Sequence, residues 1–253
     1  MIGVYLSGTG NTKHIINLFF DELGASGRTY PIEDHLVPGL LAGDDLIVLA
    51  YPTQFSNTPY AVKVFIEENK PLWKGRSVFL ISTMGAFSGD STGCAARQLK
   101  KHGAIIKGGL LVKMPDSVCD NHAYKHTKEK NKEIIAAADE KVRRATDMIK
   151  AGKYPRNGLS FFDHIRGLFG QRLWFYNKTT SYCKGPKVSQ ACIRCGKCVE
   201  VCPMKNLEVK DDKLISKGKC TMCYRCISMC PRKSLTIMGE KIVEQVRYEK
   251  YAD

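Results

Sequence analysis

Apolar runs and amphipathic stretches alternate along the first 150 residues of the chain. We interpret five short apolar runs as strands: Ile2–Leu6, Thr29–Ile32, Leu46–Ala50, Ser77–Ser82 and Ile105–Lys113. Apolar positions recur at helical spacing in four longer stretches: Thr12–Leu23, Pro59–Asn69, Thr92–His102 and Lys128–Lys150. Strands alternate with helices in this way in doubly wound parallel sheets, so we predict a three-layer α/β domain with five strands. The connection Glu33–Asp44 is too short and too interrupted by Pro and Gly to predict a long helix.

A change of pattern after the last of these helices predicts a domain boundary. Gly152 and Pro155 follow the helix and favour its termination, so we place the first domain at residues 1–153. Residues 154–184 contain the aromatic and apolar stretch Leu159–Tyr176, which we interpret as a bridging helix that packs the two domains together. The alternative is an interfacial membrane helix with Arg166 and Arg172 near the head groups. Residues 185–253 form the predicted second domain and its C-terminal extension.

The second domain contains an internal repeat of cysteines. Two runs match the pattern C-x₂-C-x₂-C-x₃-C-P with an offset of 28 residues. The first run contains Cys192, Cys195, Cys198 and Cys202, followed by Pro203, and the second contains Cys220, Cys223, Cys226 and Cys230, followed by Pro231. Zinc ribbons also use C-x₂-C pairs, but the third cysteine of each run would crowd a four-ligand site. Clustered thiols in a chain with no sign of export favour metal ligands over disulfides.

These two runs resemble bacterial ferredoxins with two 4Fe–4S clusters, over residues 186–240. The resemblance implies that the fourth cysteine of each run binds the cluster of the other run. One cluster is then bound by Cys192, Cys195, Cys198 and Cys230, and the other by Cys220, Cys223, Cys226 and Cys202. Cys94, Cys119 and Cys183 are left over, and the sequence assigns them no role.

A turn rich in glycine and hydroxyl groups follows the first predicted strand and leads into a helix. Its residues are Ser7, Gly8, Thr9, Gly10, Asn11 and Thr12. Backbone amides and hydroxyls in such a turn can bind a phosphate at the helix N-terminus. The P-loop pattern is absent, and a dinucleotide fingerprint would need a third glycine where Lys13 stands. Glu33 nevertheless occupies a position that suits a ribose-binding acid.

The same turn resembles the FMN-phosphate loop of flavodoxins, and two later loops extend the resemblance. They follow the third and fourth strands, at the sheet edge where ligands bind in such folds. The resemblance implies a flavodoxin-like domain in which both loops contact the isoalloxazine ring, with Phe55 or Phe87 near its faces. The implied FMN-binding residues beyond the turn are Pro52, Thr53, Gln54, Phe55, Asn57, Thr83, Met84, Gly85, Ala86 and Phe87.

Together the two halves are similar to the flavodoxin–ferredoxin fusion proteins of anaerobic bacteria and archaea. The resemblance implies an electron-transfer protein in which FMN and two 4Fe–4S clusters share electrons along one chain. The alternative is a flavoenzyme that reduces a small organic substrate with electrons supplied by the clusters. No general acid or base stands out in the sequence, so we predict no catalytic residue. The donor, the acceptor and the direction of electron flow stay open.

Charge and hydropathy add information on partners and location. The chain has 253 residues and a formal net charge of +14, and its second half, residues 151–253, holds 20 Lys or Arg against 9 Asp or Glu. This excess predicts acidic redox partners, such as carriers or reductases, in preference to nucleic acid. Neither a long apolar segment nor a secretory signal is evident, so we expect a cytoplasmic protein without a transmembrane segment. A homodimer stays open.

Overall fold

A five-stranded parallel sheet forms the centre of the first domain. The computed structural model describes residues 1–175, 182 and 184–252. The strands are β1 (Ile2–Tyr5), β2 (Thr29–Pro31), β3 (Leu46–Pro52), β4 (Ser77–Met84) and β5 (Ile105–Lys113), in the spatial order β2-β1-β3-β4-β5. All four pairings are parallel, which confirms the predicted doubly wound sheet, and the order is that of flavodoxin-like folds.

Helices cover both faces of this sheet. They are α1 (Asn11–Glu22), α2 (Val37–Gly43), α3 (Tyr60–Glu68), α4 (Ser91–Lys101) and α5 (Lys128–Lys150), with a short 3₁₀ helix at Lys70–Trp73. The seven-residue α2 lies in the connection for which no long helix was expected. Alternate strand residues face opposite sides, so Val4 and Leu49 pack towards α2, α3 and α4, whereas Val48 and Ile81 pack towards α1 and α5. Two clusters of apolar side chains enclose the sheet from both sides, as near-continuous hydrophobic strands require.

The chain passes along the open edge of β5 after α5. The amide of Gly109 donates to the carbonyl of Pro155, and the amide of Asn157 donates to the carbonyl of Gly109. A further bond from Thr92 Oγ1 to the carbonyl of Asn157 ties this segment to α4. Residues 155–157 therefore pack on the sheet of the first domain, a few residues beyond the predicted limit at 153.

A second helical segment follows, built from α6 (Phe161–Gly167) and a π-helical turn at Leu168–Arg172. Ser160 and Asp163 form a capping box at the start of α6. The bridging prediction differs from the structure here, because Phe161, Phe162, Phe169 and Trp174 are all exposed. Tyr176 and Cys183, which the sequence analysis also singled out, lie outside the described residues.

The cysteine-rich second domain has two copies of one small unit. Its elements are β6 (Lys187–Val188), α7 (Lys197–Glu200), β7 (Leu207–Lys210), β8 (Lys213–Ser216), α8 (Arg225–Ser228) and β9 (Leu235–Thr236). The short helices α7 and α8 stand 28 residues apart, and so do the first residues of β7 and β9. Left-handed backbone recurs at the same offset, at Arg194 and Met222 and at Lys205 and Lys233. The sequence repeat is therefore also a repeat in backbone conformation.

The C-terminal residues return from the second domain to the first. The amide of Tyr248 donates to the carbonyl of Thr9, and the ring of Tyr248 stacks on His14 at 4.2 Å between centroids. Tyr251 is buried in the core beside α1 and α5. Gln245 Nε2 meanwhile donates to the carbonyls of Ile227 and Cys230. This tail contacts both domains and holds one against the other.

Candidate functional site

A cleft of about 960 Å³, counted to its open mouth, lies at the C-terminal ends of the strands. Parallel sheets bind ligands at this edge because the strand order reverses there and the loops diverge. The turn after β1 and the loops after β3, β4 and β5 all contribute to its lining. Short hydrogen bonds connect these loops: Thr12 Oγ1 lies 2.8 Å from Thr83 Oγ1, and Thr9 Oγ1 lies 3.0 Å from Ser117 Oγ.

Most of the predicted FMN-binding residues line this cleft. They are Ser7, Gly8, Thr9, Asn11, Thr12, Pro52, Thr53, Gln54, Phe55, Thr83, Met84, Gly85, Ala86 and Phe87. Two predicted residues have other positions. Gly10 takes φ +91° just before α1 and packs against Tyr248, and Asn57 pairs with Gln54 in a narrow turn. Both shape the loops and neither lines the cleft.

The turn after β1 has unused hydrogen-bonding capacity that suits a ligand. Among the described residues, the amides of Thr9 and Gly10 have no hydrogen-bond partner. The first amides of a helix lack intrahelical acceptors and carry the positive end of its dipole, so they attract a phosphate. Asn11 donates through Nδ2 to the carbonyl of Pro115, at 2.7 Å, while its Oδ1 atom is buried and unpaired within the described part of the chain. A ligand hydroxyl would satisfy that acceptor.

The loop after β3 presents an aromatic wall. Phe55 and Ser56 have φ of +47° and +57°, a conformation that residues with side chains seldom adopt. The Phe55 ring stacks on Phe175, with 4.6 Å between centroids and 15° between planes. Gln171 accepts a hydrogen bond from Ser56 Oγ and also lines the cleft. The segment after α6 therefore supports this loop and forms part of the rim.

These features fit FMN. The donor set at the turn suits a phosphate, the buried Asn11 acceptor suits a sugar-chain hydroxyl, and the wall at Phe55 and Phe87 suits a planar ring. Glu33, the residue considered for a ribose, instead accepts a charged hydrogen bond from Arg225 of the second domain.

The sequence analysis missed several residues that line the cleft. They come from the loop after β5 (Met114, Pro115, Asp116, Ser117 and Val118), from Tyr124 and Gln171, and from the second domain (Met222, Cys223, Tyr224 and Met238). The loop after β5 could have been found, because its strand ends at the same sheet edge. Burial raises the pKa of the Asp116 carboxyl, although the amide of Val118 donates to it at 2.8 Å. No local sequence pattern predicts that residues of the second domain line the cleft.

The eight repeated cysteines fall into two groups in the second domain. Cys192, Cys195, Cys198 and Cys230 line one small cavity. Cys202, Cys220, Cys223 and Cys226 line another. In each group the fourth cysteine comes from the other sequence run, as the resemblance to two-cluster ferredoxins implies. Among the described residues, no three His, Cys, Asp or Glu side chains converge closely enough to ligate a single metal ion.

Backbone amides point at the sulfur atoms. The amide of Asn206 lies 3.3 Å from Cys202 Sγ, and that of Ser234, 28 residues later, lies 3.4 Å from Cys230 Sγ. The Ser234 hydroxyl is 3.3 Å from the same Cys230 sulfur. Such hydrogen bonds stabilise negative charge on sulfur and tune the potential of a bound cluster.

The two groups differ in their access to solvent. Cys195 is exposed, and its neighbours Ile193 and Arg194 are exposed as well. Cys223 instead faces the first domain and lines the same cleft as the turn after β1. One group therefore lies near the outer surface of the second domain, and the other at the domain interface.

The domain interface is close-packed at the turn after β1. A Cβ atom at Gly8 would lie 1.6 Å from the carbonyl oxygen of Cys223, so no other residue fits there without separating the domains. Arg225 donates through Nε and Nη2 to the carbonyl of Ser7, at 3.1 and 2.9 Å. Thr221 Oγ1 accepts from the amide of Ala61, and the Thr221 carbonyl accepts from Gln54.

The remaining cysteines occupy different environments. Cys119 is buried, burial raises its pKa to about 11, and its carbonyl accepts from the amide of Val243 in the C-terminal tail. Cys94 lies beside two guanidinium groups: Arg172 Nη1 is 2.9 Å from its sulfur and Arg97 Nη2 is 3.2 Å away. Burial raises the pKa of Cys94.

Comparison with known proteins places the cysteine repeat in a family. Residues 191–234 match the family described as 4Fe-4S dicluster domain. No curated protein matches the chain. In the described part of the chain, no helix has both the length and the apolar character needed to cross a membrane.

Solved flavodoxins resemble the first domain. A two-electron reduced flavodoxin of Megasphaera elsdenii is 24% identical over 58% of this chain and 98% of its own, with a TM-score of 0.42. A Fusobacterium nucleatum flavodoxin bound to flavin mononucleotide is 14% identical over 60% of this chain and 98% of its own, with a TM-score of 0.41.

Proposed function

We propose that this chain, which joins a flavodoxin-like domain to a 4Fe-4S dicluster domain, is an electron-transfer protein that carries electrons between two 4Fe–4S clusters and FMN. One observation carries the proposal. Cys223, a member of the second cysteine group, lines the same cleft as the turn after β1 and the two loops after β3 and β4. Electron exchange needs short separations, and Gly8 of the turn after β1 packs directly against the backbone carbonyl of Cys223.

The residues have distinct tasks in this proposal. The turn from Ser7 to Thr12 binds the phosphate of FMN, and the loops at Phe55 and Phe87 enclose its ring. The two groups of four cysteines each bind one cluster, and the amides of Asn206 and Ser234 stabilise the charge on sulfur. When bound, the clusters supply one-electron chemistry and the flavin supplies one- or two-electron chemistry. The chain fixes their spacing and excludes water.

The outer cysteine group is the proposed contact site for a redox partner. Cys195 is exposed there, together with Ile193 and Arg194, and Lys197 is partly exposed. An apolar residue amid basic side chains suits a transient contact with an acidic carrier or reductase, as the excess of positive charge in residues 151–253 also suggests. We place this role in the cytoplasm of an anaerobic cell, where low-potential clusters survive.

A second candidate function rests on Asp116. Its carboxyl lines the cleft, and burial raises its pKa, which makes it suited to donate a proton to a small organic substrate. Under this candidate the protein is a flavoenzyme, and replacing Asp116 by Asn abolishes turnover. Under the electron-transfer proposal the same change leaves electron exchange with carriers intact.

Metal and flavin analysis of anaerobically purified protein tests the cofactor assignment. We expect about eight irons and one FMN per chain, the content that two clusters and one flavodoxin-type site imply. Cys220→Ser should lose about half of the iron, whereas the control Cys94→Ser should lose none, since Cys94 lies outside both groups. Four irons in the wild-type protein, zinc in their place, or bound FAD would contradict the assignment.

A further inference from the structure

The helix that follows the edge of the sheet exposes a stripe of large apolar side chains. Phe161, Ile165, Phe169 and Leu173 recur at every fourth residue, and the π-helical turn keeps this spacing on one side of the helix. Phe162 and Trp174 flank the stripe, with 76% and 75% of their surfaces exposed. A monomer seldom leaves such a patch uncovered, so it marks an interaction site.

Polar contacts on the opposite side of the helix fix this orientation. Asp90 is fully buried, and His164 Nδ1 lies 3.0 Å from its Oδ2 atom. Arg172 pairs with the same carboxylate and donates to the carbonyl of Ser56 at 3.1 Å. A Cβ atom at Gly167 would lie 2.2 Å from Asp90 Oδ1, so a glycine is required for this close approach. These buried contacts therefore hold the helix so that its apolar stripe faces solvent.

The shape and charge of this surface indicate what it contacts. Phe161, Phe162 and Trp174 are each about three quarters exposed to solvent. Residues 151–184 contain six Lys or Arg and a single acid, Asp163. Two copies of such a segment placed face to face would repel each other. A helix with aromatic and aliphatic residues on one side and surrounding basic residues suits an anionic lipid surface.

Several of these basic residues are exposed to solvent. Lys153, Arg156, Arg166 and Lys184 are exposed, while Arg172 is turned inward to Asp90. The interfacial-helix alternative expected both Arg166 and Arg172 near the head groups. Arg166 is exposed as that alternative requires, whereas Arg172 is not. The same helix forms part of the rim of the cleft, since Gln171 lines it and Gly170 lies against Phe87.

We propose that the surface formed by Phe161, Phe162, Ile165, Phe169, Leu173 and Trp174 binds peripherally to an anionic lipid membrane. The apolar side chains enter the head-group region, and the nearby basic side chains contact the lipid phosphates. The rim of the cleft then faces the membrane.

Vesicle flotation with the purified, cofactor-loaded protein tests this proposal. We expect binding to phosphatidylcholine vesicles that contain one-third phosphatidylglycerol, and binding about tenfold weaker to phosphatidylcholine alone. Phe162→Ser and Trp174→Ser should each weaken binding by about tenfold, because each removes one ring from the apolar phase. Ile105→Ser, at an exposed apolar position on β5 outside the stripe, is the control and should bind like the wild type.

Tryptophan emission provides an independent readout. The chain has two tryptophans, and Trp73 is fully buried, so a shift on adding vesicles reports Trp174. We expect a blue shift with anionic vesicles and none with Trp174→Phe. No binding to anionic vesicles, equal binding by the Phe162→Ser variant, or a wild-type dimer that Phe162→Ser dissociates would overturn the proposal, the last in favour of a second copy of the chain.

Discussion

Gly8 takes part in both halves of the molecule. It belongs to the turn that suits a phosphate, and its α-carbon lies against the carbonyl of Cys223 in the other domain. The turn pattern alone predicted that Gly8 belongs to a phosphate-binding turn. The contact with Cys223 could not be predicted, because it joins residues 215 positions apart and depends on how the two domains dock together.

Asp116 is a carboxylic acid of the cleft whose ionisation is coupled to folding. Its pKa is raised, so the folded protein binds a proton more tightly than the unfolded chain does. Stability should therefore fall as the pH rises above the ordinary aspartate value of about 4, until the raised pKa is passed.

Replacing Asp116 by Asn should remove the loss of stability that accompanies ionisation of this carboxyl. We expect the thermal midpoint of Asp116→Asn to exceed that of the wild type at neutral pH, with a difference that shrinks towards pH ~4. Asp211→Asn, at an exposed turn, is the control and should show no difference at either pH. A variant that is less stable than the wild type at neutral pH would show that the ionised carboxylate stabilises the site.

Local patterns were most informative at the scale of single elements. The periodicity of α5 predicted Lys128–Lys150 with both ends correct, because a Thr127 cap precedes it and Gly152 follows. The helix at residues 161–175 was assigned to the wrong surroundings. Its aromatic residues suggested burial between domains, whereas its contacts depend on the distant Asp90, which no helical period reveals.

The contact between Arg172 and Asp90 should be essential to the placement of this helix. We expect Arg172→Met to lower the free energy of unfolding by about 1–3 kcal/mol, since Arg97 and His164 still contact the buried carboxylate. Hydrogen exchange of residues 161–175 should accelerate. Arg166→Met, on the exposed side of the same helix, should leave both quantities unchanged. Equal effects of the two changes would argue against the buried contact.

The fold of each domain could be predicted from its sequence, whereas the way in which the two domains dock could not. Strand and helix periods predicted the sheet, and the resemblance to two-cluster ferredoxins implied the two groups of four cysteines. The two domains are held together by side chains such as Arg225 and by the C-terminal tail at Tyr248. Neither contact corresponds to a sequence pattern that would predict it. These contacts decide which cysteine group lies at the cleft.

Whole-molecule charge leads to a prediction about partners. With a net charge of +14, the protein should exchange electrons with acidic ferredoxins or flavodoxins at rates that fall as salt is added. Screening shortens the reach of charges to about 10 Å at 0.1 M salt, so stopped-flow rates should decline steeply over the range below that. Rates indifferent to ionic strength would assign the basic residues a structural or membrane role instead.

The most direct test of the central claim is the dependence of internal electron exchange on protein concentration. A light flash excites an added photosensitiser, which reduces the clusters with electrons from a sacrificial donor, and the flavin absorbance is followed over a wide range of protein concentrations. Because Cys223 lies in the wall of the cleft, we predict a single rate that does not change with concentration. A rate that rises in proportion to concentration would mean exchange between separate molecules, and would contradict the account.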